Sequence, residues 1–318
     1  MIDIAPEPHP ASPFDGMWQA DVTAVSPGED WPTSLRNALF PAGPGDLKAY
    51  AVLDAAKIDT LPETLATSGL THACLFNGKG ADDLADAAPW LVALDPDNRV
   101  ARDLFTESPA PWHLWRSDAL IVLQSSLSFD AMRRHLRRFT RLRRDTGAWY
   151  YFRFWQPDLI GALAMRGPFT LPAMIFGADG VGAALLPTDG ALLTLRPKPG
   201  IALSQTAPQL DTATWTALGD FVAARFFHRL RLDCAAQTHA PADHIDAVLD
   251  HLTAWDFQNR TTIRDLALWW CTRQGSQMLR ETWAQDELAA SRGMPDPIRA
   301  DRLRNLADDR AEVDHAAG

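Results

Sequence analysis

The sequence of 318 residues has little cysteine, no long apolar run and fewer basic than acidic residues. Its three cysteines, Cys74, Cys234 and Cys271, are far apart and form no Cys-x-x-Cys motif, so neither a disulfide framework nor a cysteine-rich zinc site is predicted. The longest uncharged apolar stretch, residues 167–178, is shorter than the roughly 18 residues that span a bilayer. The first residues lack the basic start and the apolar run of a signal peptide. We therefore expect a soluble protein of a reducing cytoplasm.

Basic residues are the minority charge, because 30 Lys and Arg stand against 40 Asp and Glu, for a formal net charge of -10. The average field of such a chain repels nucleic acids and anionic membranes, so any basic site has to be local. We accordingly predict neither nucleic acid nor membrane as a partner. The length, a hydrophobic content of 47% and 12 tryptophans predict about two folded domains.

The standard sequence forms of catalytic and phosphate-binding sites are also missing. The sequence contains no Gly-x-Ser-x-Gly, no His-Glu-x-x-His and no Gly-x-x-x-x-Gly-Lys-Ser/Thr. His244 and His251 share one helix face two turns apart, about 10.5 Å along the axis, which is too far for one metal ion. We predict a protein that is not an enzyme and has no metal and no cofactor. An enzyme with an unrecognised site remains an alternative.

The apolar pattern divides the chain into four segments. Residues 1–45 contain eight prolines and predict an extended arm whose aromatic residues dock onto the body. Residues 46–208 alternate short apolar runs with helical patterns, and residues 209–290 repeat apolar residues every three or four positions. Residues 291–318 form a polar tail with too little apolar area to anchor it. The predicted class is α+β, with an N-terminal α/β lobe, in which helices flank a small mixed sheet, and an α-helical C-terminal lobe.

One local feature contrasts with the acidic composition. Seven arginines, which we call the arginine segment, lie close together: Arg133, Arg134, Arg137, Arg138, Arg141, Arg143 and Arg144. At about 100° per residue, Met132, Leu136, Phe139 and Leu142 group on one side of a helix, and all seven arginines except Arg143 project from the other. The pattern predicts one helix from Phe129 to about residue 143 that presents a basic ridge.

The basic ridge has three interpretations. It is either a solvated face paired with the excess carboxylates or a docking site for an acidic partner. Nucleic acid is a third possibility, disfavoured because the predicted helix carries no interleaved aromatic residues and the chain is net negative.

The aromatic run Trp149–Trp155 follows the arginine segment and predicts a strand of the core. Arg153 lies inside this run, so its guanidinium has to reach a carboxylate or solvent, since burial without a partner costs several kcal/mol. The candidate partner-binding residues are Arg133, Arg134, Arg137, Arg138, Arg141 and Arg153.

Residues 47–166 contain several motifs whose order is typical of one known family. In chain order they are Tyr50-Ala-Val-Leu-Asp54, Cys74-Leu-Phe-Asn-Gly78, Leu84-Ala-Asp-Ala-Ala-Pro-Trp-Leu-Val92, Met132-Arg-Arg-His-Leu-Arg-Arg-Phe139 and Phe152-Arg-Phe-Trp-Gln-Pro157 with Leu159. They resemble the type VI secretion effector adaptor (chaperone) family. Its last motif is usually Phe-Arg-Phe-Tyr-Asp-Pro, so Trp155 and Gln156 replace a Tyr and an Asp here.

The resemblance implies a non-enzymatic cytoplasmic protein of a Gram-negative bacterium. Such an adaptor binds a toxic effector and assists its loading onto the spike protein at the tip of the secretion tube. The effector and the spike tip protein are therefore the implied partners. The resemblance also implies two lobes, an α/β lobe and a helical lobe, with a segment of the effector held on the surface or in the cleft between the lobes.

Overall fold

The computed structural model divides the chain into two compact units, Met1–Phe221 and Val222–Gly318. It describes residues 7–19, 21–42, 47–78, 83–177, 180–188, 190–200, 207–272 and 281–317. The first unit holds the described strands, which are β1 (Phe14–Gln19), β2 (Lys48–Asp54), β3 (His72–Cys74), β4 (Pro89–Ala93), β5 (Leu120–Ser125), β6 (Arg141–Arg144), β7 (Trp149–Tyr151), β8 (Val181–Thr188), β9 (Ala191–Pro197) and β10 (Gln209–Leu210).

Seven of these strands form one sheet in the order β1-β9-β8-β5-β2-β4-β3, and all of its pairs are antiparallel. The central strand β5 is buried along its whole length, and β2 is buried except at Lys48. Successive residues of a strand point to opposite faces, so Tyr50 and Val52 enter one core, whereas Ala51 and Leu53 enter another. The sheet is therefore covered on both faces, which explains its nearly continuous apolar runs.

Helices supply the two covering layers. The described α-helices that lie wholly in the first unit are α1 (Thr33–Leu39), α2 (Leu61–Ser68), α3 (Arg99–Asp103), α4 (Phe129–Arg137), α5 (Pro157–Arg166) and α6 (Thr170–Phe176). Helices α1, α2 and α3 contribute buried side chains to the face that carries Ala51, and helices α4, α5 and α6 contribute to the face that carries Tyr50. Among the described residues, no single helix is both long enough and apolar enough to cross a membrane. Helices α5 and α6 meet the length and apolarity of a membrane span only when they are counted together, and a bend of 113° separates them.

A second, three-stranded sheet has the order β10-β6-β7. Strands β6 and β7 are antiparallel, and the two-residue strand β10 runs parallel to β6. Leu142 is buried in the core that also contains Met132 and Leu136 of α4. The small sheet is thus attached to the same core as the helix that precedes it.

The second unit is helical. Helix α7 (Thr212–Thr238) runs across the division of the chain, and the following helices are α8 (Ala242–Ala254), α9 (Arg260–Thr272), α10 (Thr282–Ala290) and α11 (Asp296–Ala317). Their core includes Leu230, Val248, Leu266 and Leu303. Cys234 and Cys271 are free thiols buried in this core.

The α+β class is confirmed. The main sheet differs from the predicted small mixed sheet, because it has seven described strands and all of its pairs are antiparallel. The predicted arm contributes to this difference, because β1 pairs with β9 and Phe14 is fully buried. Trp31 and Phe40 of the same segment pack against each other and against the core, as expected. Residues 1–6, 20 and 43–45 of the predicted arm lie outside the described residues.

Two other boundaries differ from the sequence prediction. The helical lobe was expected from residue 209, yet Trp215 and Phe221 of α7 pack into the core of the first unit. The C-terminal segment was expected to fray, yet residues 296–317 form α11. Leu303 is buried there, and the Arg299 guanidinium donates to the Trp255 carbonyl oxygen (2.7 Å) and lies 4.2 Å from the ring centroid of Phe257. Spaced apolar contacts and one buried arginine therefore anchor a helix that is mostly polar.

Leu136 tests the packing of α4 against the core. Its side chain is fully buried, so the change Leu136→Ala should lower the free energy of unfolding by about 2–5 kcal/mol through lost apolar contact and a cavity. The matched change Arg134→Ala on the exposed side of the same helix should alter it by less than about 0.5 kcal/mol. Chemical denaturation of both variants measures the two values, and equal losses would contradict this orientation of the helix.

Candidate binding surface

The predicted single basic helix is wrong, because the arginine segment is divided between a helix and a strand. Helix α4 begins after Ser128, whose Oγ accepts a hydrogen bond from the Ala131 N–H (3.3 Å). It ends at Arg137, whose carbonyl oxygen accepts a hydrogen bond from the Thr140 hydroxyl (3.0 Å). The last three arginines of the segment, from residue 141 onward, therefore lie on β6 instead of on a continued helix.

A hairpin explains why the helix stops. The turn after β6 places Gly147 at a φ of 90°, and the Gly147 N–H donates to the Arg144 carbonyl oxygen (2.9 Å). Leu142 satisfies both the helical spacing and the two-residue alternation of a strand, so its burial does not distinguish the two structures. The sequence signals were the Asp-Thr-Gly turn at residues 145–147 and the alternation Arg-Leu-Arg before it.

The prediction of a core strand over Trp149–Trp155 holds only in part. Strand β7 covers Trp149–Tyr151, and the side chains of Trp149 and Tyr151 are 57% and 59% exposed. Phe152, Phe154 and Trp155 are buried but lie beyond the strand. The exposed part is an edge strand of the small sheet, outside the sheet that forms the main core.

Aromatic and basic side chains share one face of this hairpin. Arg141 lies opposite Tyr151 in the β6–β7 register, and Arg143 lies opposite Trp149. Directly opposed residues of antiparallel strands project to the same side. The Arg141 guanidinium carbon is 5.2 Å from the ring centroid of Trp149 and 5.9 Å from that of Tyr151. We call these four residues the aromatic–arginine face.

The opposite face of the hairpin is held against the protein body. The ring of Tyr150 lies 4.6 Å from the ring of Trp215, between centroids, and the Arg144 guanidinium lies 4.6 Å from the same indole. Leu142 is fully buried beside them. This packing fixes the hairpin so that the aromatic–arginine face points outward.

Six of the seven arginines of the arginine segment form no ion pair with a carboxylate within the described parts of the chain. They are Arg133, Arg134, Arg137, Arg138, Arg141 and Arg143. By contrast, Arg144 pairs with Asp145 at 3.3 Å. In a chain with ten more carboxylates than basic side chains, this leaves a positive charge, concentrated in residues 133–143, that the described acidic residues do not neutralise through ion pairs.

The predicted site residues differ in exposure. Arg134, Arg138 and Arg141 are exposed, whereas Arg133 and Arg137 are half-buried. Arg133 donates a long hydrogen bond to the Cys74 carbonyl oxygen (3.4 Å). Sequence reasoning identified these arginines but missed the exposed aromatic residues, because an aromatic run at alternating positions is typical of a core strand.

Arg153 has its carboxylate partner within the chain. Its guanidinium donates to Oδ2 of Asp54, the last residue of β2. The Asp54 side chain is only 1% exposed, whereas that of Arg153 is 44% exposed. Oδ1 of Asp54 has no hydrogen-bond partner among the described residues, so Arg153 supplies the only side-chain compensation described for a buried charge.

The described residues also contain an arrangement that bears on the enzyme alternative. Ser108 Oγ lies 2.5 Å from His113 Nδ1, and His113 Nε2 lies 3.9 Å from an oxygen of Asp103. The second distance is too long for a hydrogen bond. Ser108 Oγ also accepts the Ala110 N–H (3.0 Å), so the local geometry is that of a capped turn. No group of three or more His, Cys, Asp or Glu suited to a metal ion occurs in the described ranges.

His135 lies among the arginines of α4, and its ring nitrogen Nε2 is 2.9 Å from the Ile175 carbonyl oxygen. A carbonyl only accepts, so Nε2 carries the proton in this contact. Burial lowers the pKa of His135, the hydrogen bond to Ile175 opposes this shift, and the charge of Arg138 adds to it. The imidazole is therefore neutral at pH 7.

His135 should titrate below the ordinary histidine value of about 6.5. In the unfolded chain it binds its proton at a higher pH, so its contribution to the free energy of unfolding is complete above about pH 6.5. This contribution declines as the pH falls from there through the folded pKa. NMR of the imidazole nitrogens over a pH series measures the value, and titration at or above 6.5 would contradict the buried, hydrogen-bonded ring.

Residues 49–166 match the family model described as "Domain of unknown function (DUF4123)". The match covers β2 to α5 and includes α4, the β6–β7 hairpin and both residues of the Asp54–Arg153 pair. No curated protein and no solved structure matches the chain.

Proposed function

We propose that this protein is an adaptor, or chaperone, that binds a type VI secretion effector and assists its loading onto the spike tip protein. It would act in the cytoplasm of a Gram-negative bacterium and would not be an enzyme. The observation that carries this proposal is the family match over residues 49–166, which coincides with the ordered motifs that resemble the effector adaptors.

The surface described above supports a binding role. Arginines without carboxylate partners in the described residues lie beside exposed aromatic rings, and such residues are enriched at the energetic centres of protein interfaces. An acidic segment of a partner would complement this charge.

One observation favours the nucleic-acid alternative, because aromatic rings lie beside Arg141 of the arginine segment. Base stacking needs an open ring face, however, and the Arg141 guanidinium already lies over Trp149 and near Tyr151. The net charge of -10 also opposes a polyanion. We therefore retain the protein partner as the proposal.

Charge reversal tests the proposal in a complex. The protein should co-purify with an effector or spike protein encoded by an adjacent gene when the two are co-expressed. Changing Arg134, Arg137 and Arg141 together to Glu should weaken that complex by about tenfold or more, because attraction to the partner becomes repulsion. Calorimetric titration measures the affinity, and the melting temperature reports whether the fold is kept.

A matched variant separates a local effect from net charge. Arg36, Arg229 and Arg292 are exposed arginines elsewhere, and their joint change to Glu alters the charge equally. This control should bind like the wild type. Failure to co-purify with any adjacent effector or spike product would count against the adaptor, and equal weakening of both variants would remove the arginine segment from the site.

A further inference from the structure

Strand β7 has one edge that pairs with no described strand. In the β6–β7 pair the Phe152 N–H donates to the Thr140 carbonyl oxygen (3.1 Å), and the Arg144 N–H donates to the Ala148 carbonyl oxygen (2.9 Å). Bonded and non-bonded residues alternate along an antiparallel strand, so the backbone groups of Trp149 and Tyr151 point away from β6. They form no backbone hydrogen bond on the other side with any described residue.

Exposed strand edges are usually protected by lysine, proline, a bulge or a covering element, because they pair readily with another strand. The edge strand β7 is Trp-Tyr-Tyr and carries no lysine and no proline. Its exposed rings therefore accompany backbone donors and acceptors that bond to no described backbone group on that edge. This combination is typical of sites that bind an extended peptide by adding a strand to a sheet.

We propose that the free edge of β7 binds an extended acidic segment of a partner protein as an additional strand of the small sheet. The Trp149 and Tyr151 backbone groups would form the new ladder, and alternate carboxylates of the segment would reach Arg141 and Arg143 on the aromatic–arginine face. The inference rests on the proposed function, since the effector is the partner that would supply the segment.

The positive charge of Arg141 and Arg143 indicates that the bound segment of the partner is acidic. Arg141 and Arg143 form no ion pair with a described carboxylate, and they project on the same side as Trp149 and Tyr151. A segment with a carboxylate at every second residue would place its charges on that side. Phe76, whose ring centroid lies 5.3 Å from that of Tyr151, extends the aromatic contact toward the end of β3.

Short fluorescent peptides test the proposal on the full chain. An alternating Glu-Val peptide should bind at least about tenfold more tightly than an alternating Lys-Val peptide or a Glu-Val peptide that is N-methylated at every backbone nitrogen. The N-methylated peptide keeps the charge but has no backbone N–H to donate, so it distinguishes strand addition from simple ionic attraction. The double change Arg141→Glu and Arg143→Glu should abolish the preference, whereas Arg36→Glu with Arg229→Glu should keep it.

Hydrogen exchange locates the bound peptide. The amides of Trp149 and Tyr151 should become protected when the Glu-Val peptide binds, whereas the amide of Tyr150, which faces β6, should change little. Equal binding of the N-methylated peptide, or no binding of the Glu-Val peptide, would overturn the proposal. Tighter binding of an oligothymidine that protects the same residues would replace it with a nucleic-acid site.

The two proposals fail in different ways. If an adjacent effector binds and the Arg reversals weaken it, but the β7 amides stay unprotected by the peptide, the adaptor role stands and strand addition is wrong. If the peptides behave as expected but no adjacent product binds, the edge site stands and the adaptor role is wrong.

Discussion

The ion pair between Asp54 and Arg153 is the constraint on which the position of the binding surface depends. Asp54 ends strand β2 of the main sheet and is buried, so its charge requires a partner. Arg153 is two residues beyond the end of β7 and provides it. A residue of the main sheet is thereby joined to the segment that immediately follows the exposed hairpin.

The consequences extend along the chain in both directions from Arg153. Phe152 and Phe154 on either side are buried, and Phe154 packs edge-on against Phe139 at 6.4 Å between ring centroids. On the N-terminal side the strand emerges from the core at Tyr151. The same connection that satisfies a buried carboxylate therefore fixes where the aromatic strand becomes exposed.

For residues 132–151, the sequence predicted which side chains are buried better than it predicted the secondary structure. Met132, Leu136, Phe139 and Leu142 are all buried as expected, although the helix ends before the last two. Periodicity reports which side chains avoid water, and Leu142 fits the helical and the strand period equally. The exposure of Trp149 and Tyr151 could not be read from composition, because it depends on β7 being the edge of a separate sheet.

The sequence likewise did not predict which residues far apart in the chain contact each other. Arg153 was expected to need a carboxylate, but 40 acidic residues were available, and only the fold brings Asp54 to it across 99 positions. The polar C-terminal helix shows the same limit, since Arg299 contacts Asp296 in its own helix but also residues more than 40 positions away. Local rules capture spacing and capping, whereas such compensating contacts arise from tertiary structure.

A double-mutant cycle on the free energy of unfolding tests most directly whether the structure depends on the ion pair between Asp54 and Arg153. Arg153→Met leaves the buried Asp54 charge unpaired, so it should destabilise the fold more than the combination of Arg153→Met with Asp54→Asn does. We predict a coupling energy of at least about 1 kcal/mol between the two positions. Losses that simply add, to within about 0.5 kcal/mol, would contradict the account, because the hairpin would then be held in place without the ion pair.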